Sequence, residues 1–203
     1  MHSPPEHLKN QMAPYRSCME EARSRVLFMQ HLTAQLSAKT TLHEFDLEQL
    51  ALCARKCVEL VALASLAANK FEYERARKKF SSDWNARLIF QDIERINRNF
   101  FPQPSEHVGS NIFKEPSYSC LTKESALNLY EQTSKFLHAR NRYSPAINVC
   151  EDLLLLSERG VLLKNLLRSF EVHLLPEGFL YFVFIDFDDD RNAVQVHLAG
   201  PME

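Results

Sequence analysis

Glycine is scarce in this chain of 203 residues, with four occurrences at Gly109, Gly160, Gly178 and Gly200. The dinucleotide-binding motif G-x-G-x-x-G, the P-loop and the nucleophile elbow of α/β-hydrolases each need closely spaced glycines. No two of these four lie close enough together to build such a motif. The sequence therefore excludes these three phosphate-binding and hydrolase motifs.

Paired cysteines and metal-binding motifs are also missing. The five cysteines are Cys18, Cys53, Cys57, Cys120 and Cys150, without a C-x-x-C pair, and no H-E-x-x-H motif occurs. This spacing indicates neither a disulfide framework nor a zinc site, so we predict a reducing compartment, no metal and no cofactor. Cys53 and Cys57 lie one helical turn apart, which suits either two metal ligands or two core thiols. Because no further ligand pair has a suitable spacing, core thiols are favoured.

Long hydrophobic runs are absent as well. The longest mainly apolar stretch, residues 58–68, contains Glu59 and is much shorter than the roughly 20 residues that a membrane-spanning helix needs. Residues 1–11 lack the apolar segment of a signal peptide. We therefore predict a cytoplasmic protein without membrane insertion.

Charge is unevenly distributed. Residues 171–203 hold seven acidic residues and one arginine, net −6, whereas the preceding 170 residues carry a net charge of +4. The mildly basic body permits contact with RNA, but its charge density is far below that of a dedicated nucleic-acid-binding protein. The simpler explanation of the basic residues is that they lie on solvated helix faces.

The hydrophobic pattern predicts an α+β fold, mainly α, with a helical bundle and a C-terminal three-stranded antiparallel β-meander. Residues 1–13 are rich in proline and polar residues and predict a flexible N-terminal arm. Apolar residues at three- and four-residue steps predict a bundle over residues 14–169, in which Pro14 begins the first helix and Gly160 is a candidate break in the last. The period changes to two over residues 170–203, which predicts a β-meander packed on the bundle.

The second and fourth predicted helices have clear sequence signals. Asp46 is a suitable cap for the second helix, and residues 57–68 of that helix are apolar nearly all round, as expected of a central element. Thr122 caps a fourth helix. That helix is predicted to end near Tyr143, because Pro145 disfavours helical geometry in the preceding residue.

The middle strand of the predicted meander has large apolar residues on both faces. Such a sheet needs cover on both sides. We therefore expect it to pack on the bundle and on either a further element or a partner chain, with a homo-oligomer or a partner protein as candidates. The residues concerned are Phe179, Tyr181, Val183, Ile185 and Phe187 on one face and Leu180, Phe182 and Phe184 on the other. Separately, the irregular segment 99–121 is either a linker or a covering loop.

The segment KFLHARNRYSP concentrates Lys135, His138, Arg140, Asn141 and Arg142 without an acidic residue. On a regular helix His138, Asn141 and Arg142 share one face, whereas Arg140 points inward. An exposed imidazole beside a guanidinium is the minimal set for metal-independent RNA cleavage, because the first moves protons and the second stabilises the phosphorane. The simpler alternative is a helix C-terminus whose basic side chains satisfy the last carbonyls.

The predicted helical arrangement with this cluster resembles HEPN domains, which carry an arginine, usually a following polar residue, and a histidine four to six residues on. Here the order is reversed, from His138 to Arg142. The resemblance implies a ribonuclease with a composite site across a dimer, in which His138, Arg140, Asn141 and Arg142 are catalytic and Lys135 binds RNA. The phrases ALCARKCVELVALASLAAN, DWNARLIFQDIERINRNFFPQP and SKFLHARNRYSP also resemble an uncharacterised family of bacterial proteins over roughly residues 45–200.

Glu59 interrupts an otherwise apolar helix, and a lone buried carboxylate is unfavourable. Arg55, one turn earlier, and Arg140 are its candidate partners. Glu59 is therefore either half of a structural ion pair or a binding or catalytic acid, and the pair is the simpler interpretation.

Two functional hypotheses follow. The first is a non-enzymatic interaction or regulatory subunit of a bacterial system, one related to defence. The second is a HEPN-like, metal-independent ribonuclease that acts as a toxin or phage-defence effector.

Overall fold

A computed structural model describes residues 4–76, 85–107, 109, 113–139, 143, 146–176 and 178–200. The fold is mainly helical with a four-stranded antiparallel sheet, which confirms the predicted α+β class. The helices are α1 (Glu6–Ser37), α2 (Glu44–Ala68), α3 (Lys70–Ala76), α4 (Ala86–Ile96), α5 (Lys123–Gln132), α6 (Ser134–Leu137) and α7 (Val149–Arg168). The strands are β1 (Gln103–Pro104), β2 (Glu106–His107), β3 (Phe113–Lys114), β4 (Ser169–His173), β5 (Leu180–Ile185) and β6 (Val194–Ala199).

Helix α2 is the central element, as its pattern predicts. It packs against α1, α4, α5, α6 and α7, and residues 57–68 are almost entirely buried. Cys53 and Cys57 are core thiols, and burial raises the pKa of both. Among the residues that the structure describes, no three histidine, cysteine or acidic side chains are placed to hold a metal ion. None of the described helices combines the length and apolar content needed to cross a bilayer.

Helix α1 begins at Glu6, so the prediction of a loose arm over residues 6–13 is wrong, and Pro14 lies inside the helix. Tertiary contacts hold the additional turns in place. Leu8 is fully buried and its carbonyl accepts a hydrogen bond from the Tyr181 hydroxyl. The His7 ring stacks on Phe71 of α3, with ring centroids 4.6 Å apart. These contacts offset the backbone hydrogen bond that a proline cannot make.

The chain bends between α2 and α3 at Asn69, where the sequence turns from apolar to polar. Gln11 of α1 bridges the bend, since its side-chain amide donates to the Ala68 carbonyl at 2.9 Å and accepts from the Phe71 N–H at 3.1 Å. Backbone groups that lose their helical partners at the break are thereby satisfied.

The fourth predicted helix does not reach Tyr143. It breaks at Thr133 into α5 and α6, and α6 ends at Leu137. The carbonyl of Tyr130 accepts hydrogen bonds from the Thr133 hydroxyl at 2.7 Å and from Arg55 Nη1 at 3.0 Å. These side chains replace a regular helical bond, which explains a break that no glycine or proline marks.

Helix α7 is continuous, so the candidate break at Gly160 is wrong. A Cβ atom at Gly160 would lie 3.2 Å from Cε of Met29 in α1. The glycine therefore allows α1 and α7 to approach closely, rather than interrupting the helix.

The C-terminal meander is present, with β4, β5 and β6 in sequential antiparallel order. The sheet has one strand more than predicted, because β1 pairs with β4 through the partners Gln103↔Glu171 and Pro104↔Phe170. The face of β5 that carries Tyr181 and Val183 is fully buried. On the other face Leu180, Phe182 and Phe184 are half-buried.

Part of that second face is covered by this chain itself. Glu106 and Tyr118, from the irregular segment 99–121, line the same groove as Phe184 of β5. At Glu106 and Tyr118 the segment therefore lies beside the second face of the sheet, which favours a covering loop over a linker, and we call it the covering loop.

Candidate functional site

His138 is the first residue after α6 and is exposed to solvent. Its backbone is extended (φ −118°, ψ 149°), so helical spacing ends there. The predicted helix therefore ends before His138, and the faces predicted for Arg140, Asn141 and Arg142 stay predictions. Arg140, Asn141 and Arg142 lie outside the described residues.

His138 lies in a groove of about 390 Å³ between the first turns of α2 and the end of α6. Phe45 makes part of this surface apolar, because 77 % of this aromatic residue is exposed to solvent. We call it the Phe45 groove; it is lined by Glu44, Phe45, Glu48, Lys135, Phe136, Leu137, His138, Ala139 and Ile147.

Lys135 lines the groove, but its charge is already paired. Its ammonium group forms an ion pair with Asp152, a buried residue of α7, and lies 4.8 Å from the centroid of the Phe136 ring. A cation neutralised in this way attracts a phosphate weakly. The pair instead ties α6 to α7.

Among the described residues that line the Phe45 groove, the charged side chains other than Lys135 and His138 are acidic. Glu44 and Glu48 lie one turn apart on α2, on either side of Phe45. Within the described part of the chain, Glu48 has no ion-pair partner. An unpaired carboxylate at Glu48 repels a polyanion and attracts a cationic ligand.

Glu59 forms an ion pair with Arg55, as predicted, with 3.2 Å between Arg55 Nε and Glu59 Oε1. Arg55 also donates to the Ser134 hydroxyl at 3.1 Å, and its guanidinium lies 3.7 Å from the centroid of the Tyr130 ring. Glu59 is not part of the Phe45 groove. It orients the arginine that connects α2 to the α5–α6 break, and so acts on the position of His138 indirectly.

The α2 half of the groove could not be found from the cluster around His138. Glu44, Phe45 and Glu48 lie about 90 residues earlier in the chain, and only the fold brings the two segments together. The sequence does contain one indication of this site. Phe45 lies among the polar residues of HEFD at the start of a helix, a position at which an aromatic side chain is not expected to be buried.

Comparison of this chain with protein-family models, characterised proteins and solved structures gave no match. The resemblances to HEPN domains and to a bacterial family thus rest on short motifs alone.

Proposed function

We propose that this protein is a non-enzymatic interaction subunit that binds a partner protein through the Phe45 groove. The observation that carries the proposal is the exposure of Phe45, 77 % of which is in contact with water beside Leu137 and Ile147. Aromatic side chains at the edge of an apolar depression are typical anchors of protein interfaces, because their burial on binding is strongly favourable.

The charges around Phe45 specify the chemistry of the partner. Glu48 lines the groove together with Phe45, Leu137 and Ile147, so a complementary segment presents an apolar side chain next to a lysine or arginine. We therefore propose an amphipathic, basic segment of a partner protein as the ligand of this groove.

Contacts on both sides of the groove make it rigid. Asp46 accepts a hydrogen bond from the His43 N–H at 2.9 Å and forms an ion pair with Lys39, which fixes the first turn of α2. Arg55 fixes the α5–α6 break on the opposite side. A surface held in place before binding loses little conformational entropy when the partner docks.

The biological setting of this proposal comes from the sequence. The resemblance to bacterial proteins supports a bacterial system, and the HEPN resemblance supports a role related to defence. The cytoplasmic location is proposed from the unpaired cysteines.

A HEPN-like, metal-independent ribonuclease is the second candidate. One observation favours it, namely that His138 is exposed beside a groove and can reach a substrate. Against it stand the pairing of Lys135 with Asp152 and the carboxylate of Glu48. We rank it below the interaction role for this electrostatic reason.

Selection of peptides displayed on phage tests the first proposal. We expect peptides enriched on the wild-type protein to combine apolar and basic residues, and to lose binding to Phe45→Ala and to Glu48→Lys. Phe28→Ala is the matched control, because Phe28 is also exposed but lies on α1. Enrichment that does not depend on Phe45, or no enrichment at all, contradicts the proposal.

A separate cleavage assay tests the ribonuclease hypothesis. Structured RNAs are incubated with the wild type, His138→Ala and Arg142→Ala in the absence of divalent metal ions. Cleavage that both substitutions abolish, with folding retained, would establish the second candidate in place of the first. Light scattering on the wild type gives the molecular mass and shows whether a second copy of the chain is the partner.

A further inference from the structure

A second groove lies at the start of β4, remote from the proposed interaction site. It has a volume of about 870 Å³. We call it the Ser105 groove; α7 supplies one wall, the covering loop another and the end of β5 with the following turn the third. Its lining includes Ser105, Glu106, Tyr118, Lys164, Arg168 and Ser169, together with Phe184, Asp186, Asp188 and Gln195.

Several buried oxygens in this groove lack hydrogen-bond partners. Ser105 is 5 % exposed, and its hydroxyl has no partner within the described part of the chain. The same holds for the hydroxyl of Ser169 and for Oε2 of Glu106. The two serines are neighbours, since the Ser105 N–H donates to the Ser169 carbonyl at 3.0 Å. Buried polar groups are normally satisfied, so these oxygens are able to bond to water or to a ligand in the groove.

Two cations lie on the α7 wall of the groove. Lys164 and Arg168 are one helical turn apart, and in the ranges that the structure describes neither has a carboxylate within ion-pair distance. They lie against aromatic rings instead, with Lys164 Nζ 5.2 Å from the centroid of Phe187 and the Arg168 guanidinium 5.9 Å from that of Tyr118. Their positive charges are therefore available to an anion.

Two of the three carboxylates that line the groove already have partners. Asp186 Oδ1 accepts hydrogen bonds from the N–H groups of Asp188 and Asp189, at 2.8 and 3.1 Å. Oε2 of Glu106 lies 3.8 Å from the ammonium group of Lys114, an ion pair that is too long for a hydrogen bond, so this oxygen can still accept one. Only Asp188 remains without a described charged or backbone partner, at the end of the groove formed by the β5–β6 turn.

We propose that the Ser105 groove binds a phosphate group carried by a small hydroxylated molecule. Lys164 and Arg168 supply the positive charge, and the hydroxyls of Ser105 and Ser169 donate to the phosphate oxygens. Oε2 of Glu106 accepts a hydrogen bond from a hydroxyl group of the same ligand. The Asp186 and Asp188 carboxylates limit the length of an anion that fits, which favours a small phosphate monoester over a nucleic acid.

Calorimetry and thermal shift with matched probes test the inference. AMP and glycerol 3-phosphate are compared with adenosine and glycerol, and inorganic phosphate distinguishes a phosphate ester from free phosphate as the source. We expect the phosphorylated probes to bind and to raise Tm, and the two neutral probes to do neither. Equal affinity for inorganic phosphate and both esters would identify free phosphate as the ligand.

Substitutions locate the site. We expect Lys164→Gln and Arg168→Gln each to weaken phosphate binding about tenfold or more, because each removes a charge-assisted hydrogen bond. Arg159→Gln, on the same helix but outside the groove lining, is the matched control and should leave the affinity unchanged.

Ser105→Ala separates a ligand-binding hydroxyl from a structural one. It removes a buried oxygen without a partner, so the free protein should keep or raise its Tm while its affinity for the phosphorylated probes falls. A lower Tm with unchanged affinity would overturn the proposal, as would the absence of binding by any phosphorylated probe at millimolar concentration. None of these results depends on the Phe45 groove, which shares no lining residue with this one in the described part of the chain.

Discussion

Asn97 donates its side-chain amide to Oδ1 of Asn69 at a distance of 2.9 Å, in the interior of the protein. The same amide donates to the carbonyl of His173, at the end of β4, at 2.8 Å. Asn69 in turn donates to the Ser65 carbonyl at 2.8 Å. Both asparagines are buried, with 0 % of Asn69 and 6 % of Asn97 exposed. This network connects the α2–α3 break, the end of α4 and the sheet, so it fixes the position of the end of α2.

Replacing Asn97 with alanine should destabilise the protein by about 3 kcal/mol, because two buried acceptors lose their donor at once. Urea denaturation measures the loss. Asn99→Ala is the control, since Asn99 is exposed and contributes only its backbone N–H to Asn97; we expect a change within about 0.5 kcal/mol. Equal effects of the two substitutions would show that the network does not hold the bend.

Asp46 should make stability depend on pH. A hydrogen bond from Lys39, followed by one from the His43 N–H, lowers the pKa of this carboxyl. Because its pKa is lower in the folded than in the unfolded state, the ionised Asp46 carboxyl stabilises the fold above about pH 4. This contribution is lost as the pH falls through the folded-state pKa. Asp46→Asn should therefore reduce stability at neutral pH and have little effect in strong acid. Denaturation at both pH values checks this, and an equal loss at both would exclude an electrostatic origin.

Arg55 should matter more to stability than Glu59. Arg55→Ala removes the ion pair with Glu59, the hydrogen bonds to the Tyr130 carbonyl and Ser134 hydroxyl, and the contact with the Tyr130 ring, which should cost about 3 kcal/mol. Glu59→Gln keeps the side-chain shape and leaves Arg55 its other partners, so about 1 kcal/mol should be lost. Thermal and urea denaturation test this order. A more damaging Glu59→Gln would mean that the carboxylate has a role beyond the pair.

The elements that could be predicted from sequence are those with a strong local pattern. Residues 57–68 of α2 are apolar on every side, so they can only be central, and the two-residue period of β5 does not suit a helix. Strand β1 has no such pattern, because its two residues form a strand only by pairing with Glu171 and Phe170. The breaks at Asn69 and Thr133 depend on side chains from distant elements, which local sequence does not show.

The candidate sites were likewise predictable only where their residues are contiguous in sequence. The sequence singled out His138 and Lys135, because their cluster is contiguous, but the groove that contains them also needs Phe45 from α2. In the Ser105 groove the two cations lie about 60 residues after Ser105, and only the pairing of β1 with β4 brings them together. Sites assembled from separate elements need the tertiary structure before they can be identified.

Pro14 provides a direct test of where α1 begins. A proline inside a helix removes one backbone hydrogen bond and costs about 3 kcal/mol, whereas its rigidity in the unfolded state returns up to about 1 kcal/mol. Because Pro14 is exposed and lies within α1, Pro14→Ala should stabilise the protein by about 2 kcal/mol without loss of packing. Pro5→Ala is the matched control, since Pro5 precedes the helix and the change there should be within about 0.5 kcal/mol. If residues 6–13 were instead a loose arm, Pro14 would occupy the first helical position, and its replacement would be neutral or destabilising in urea denaturation.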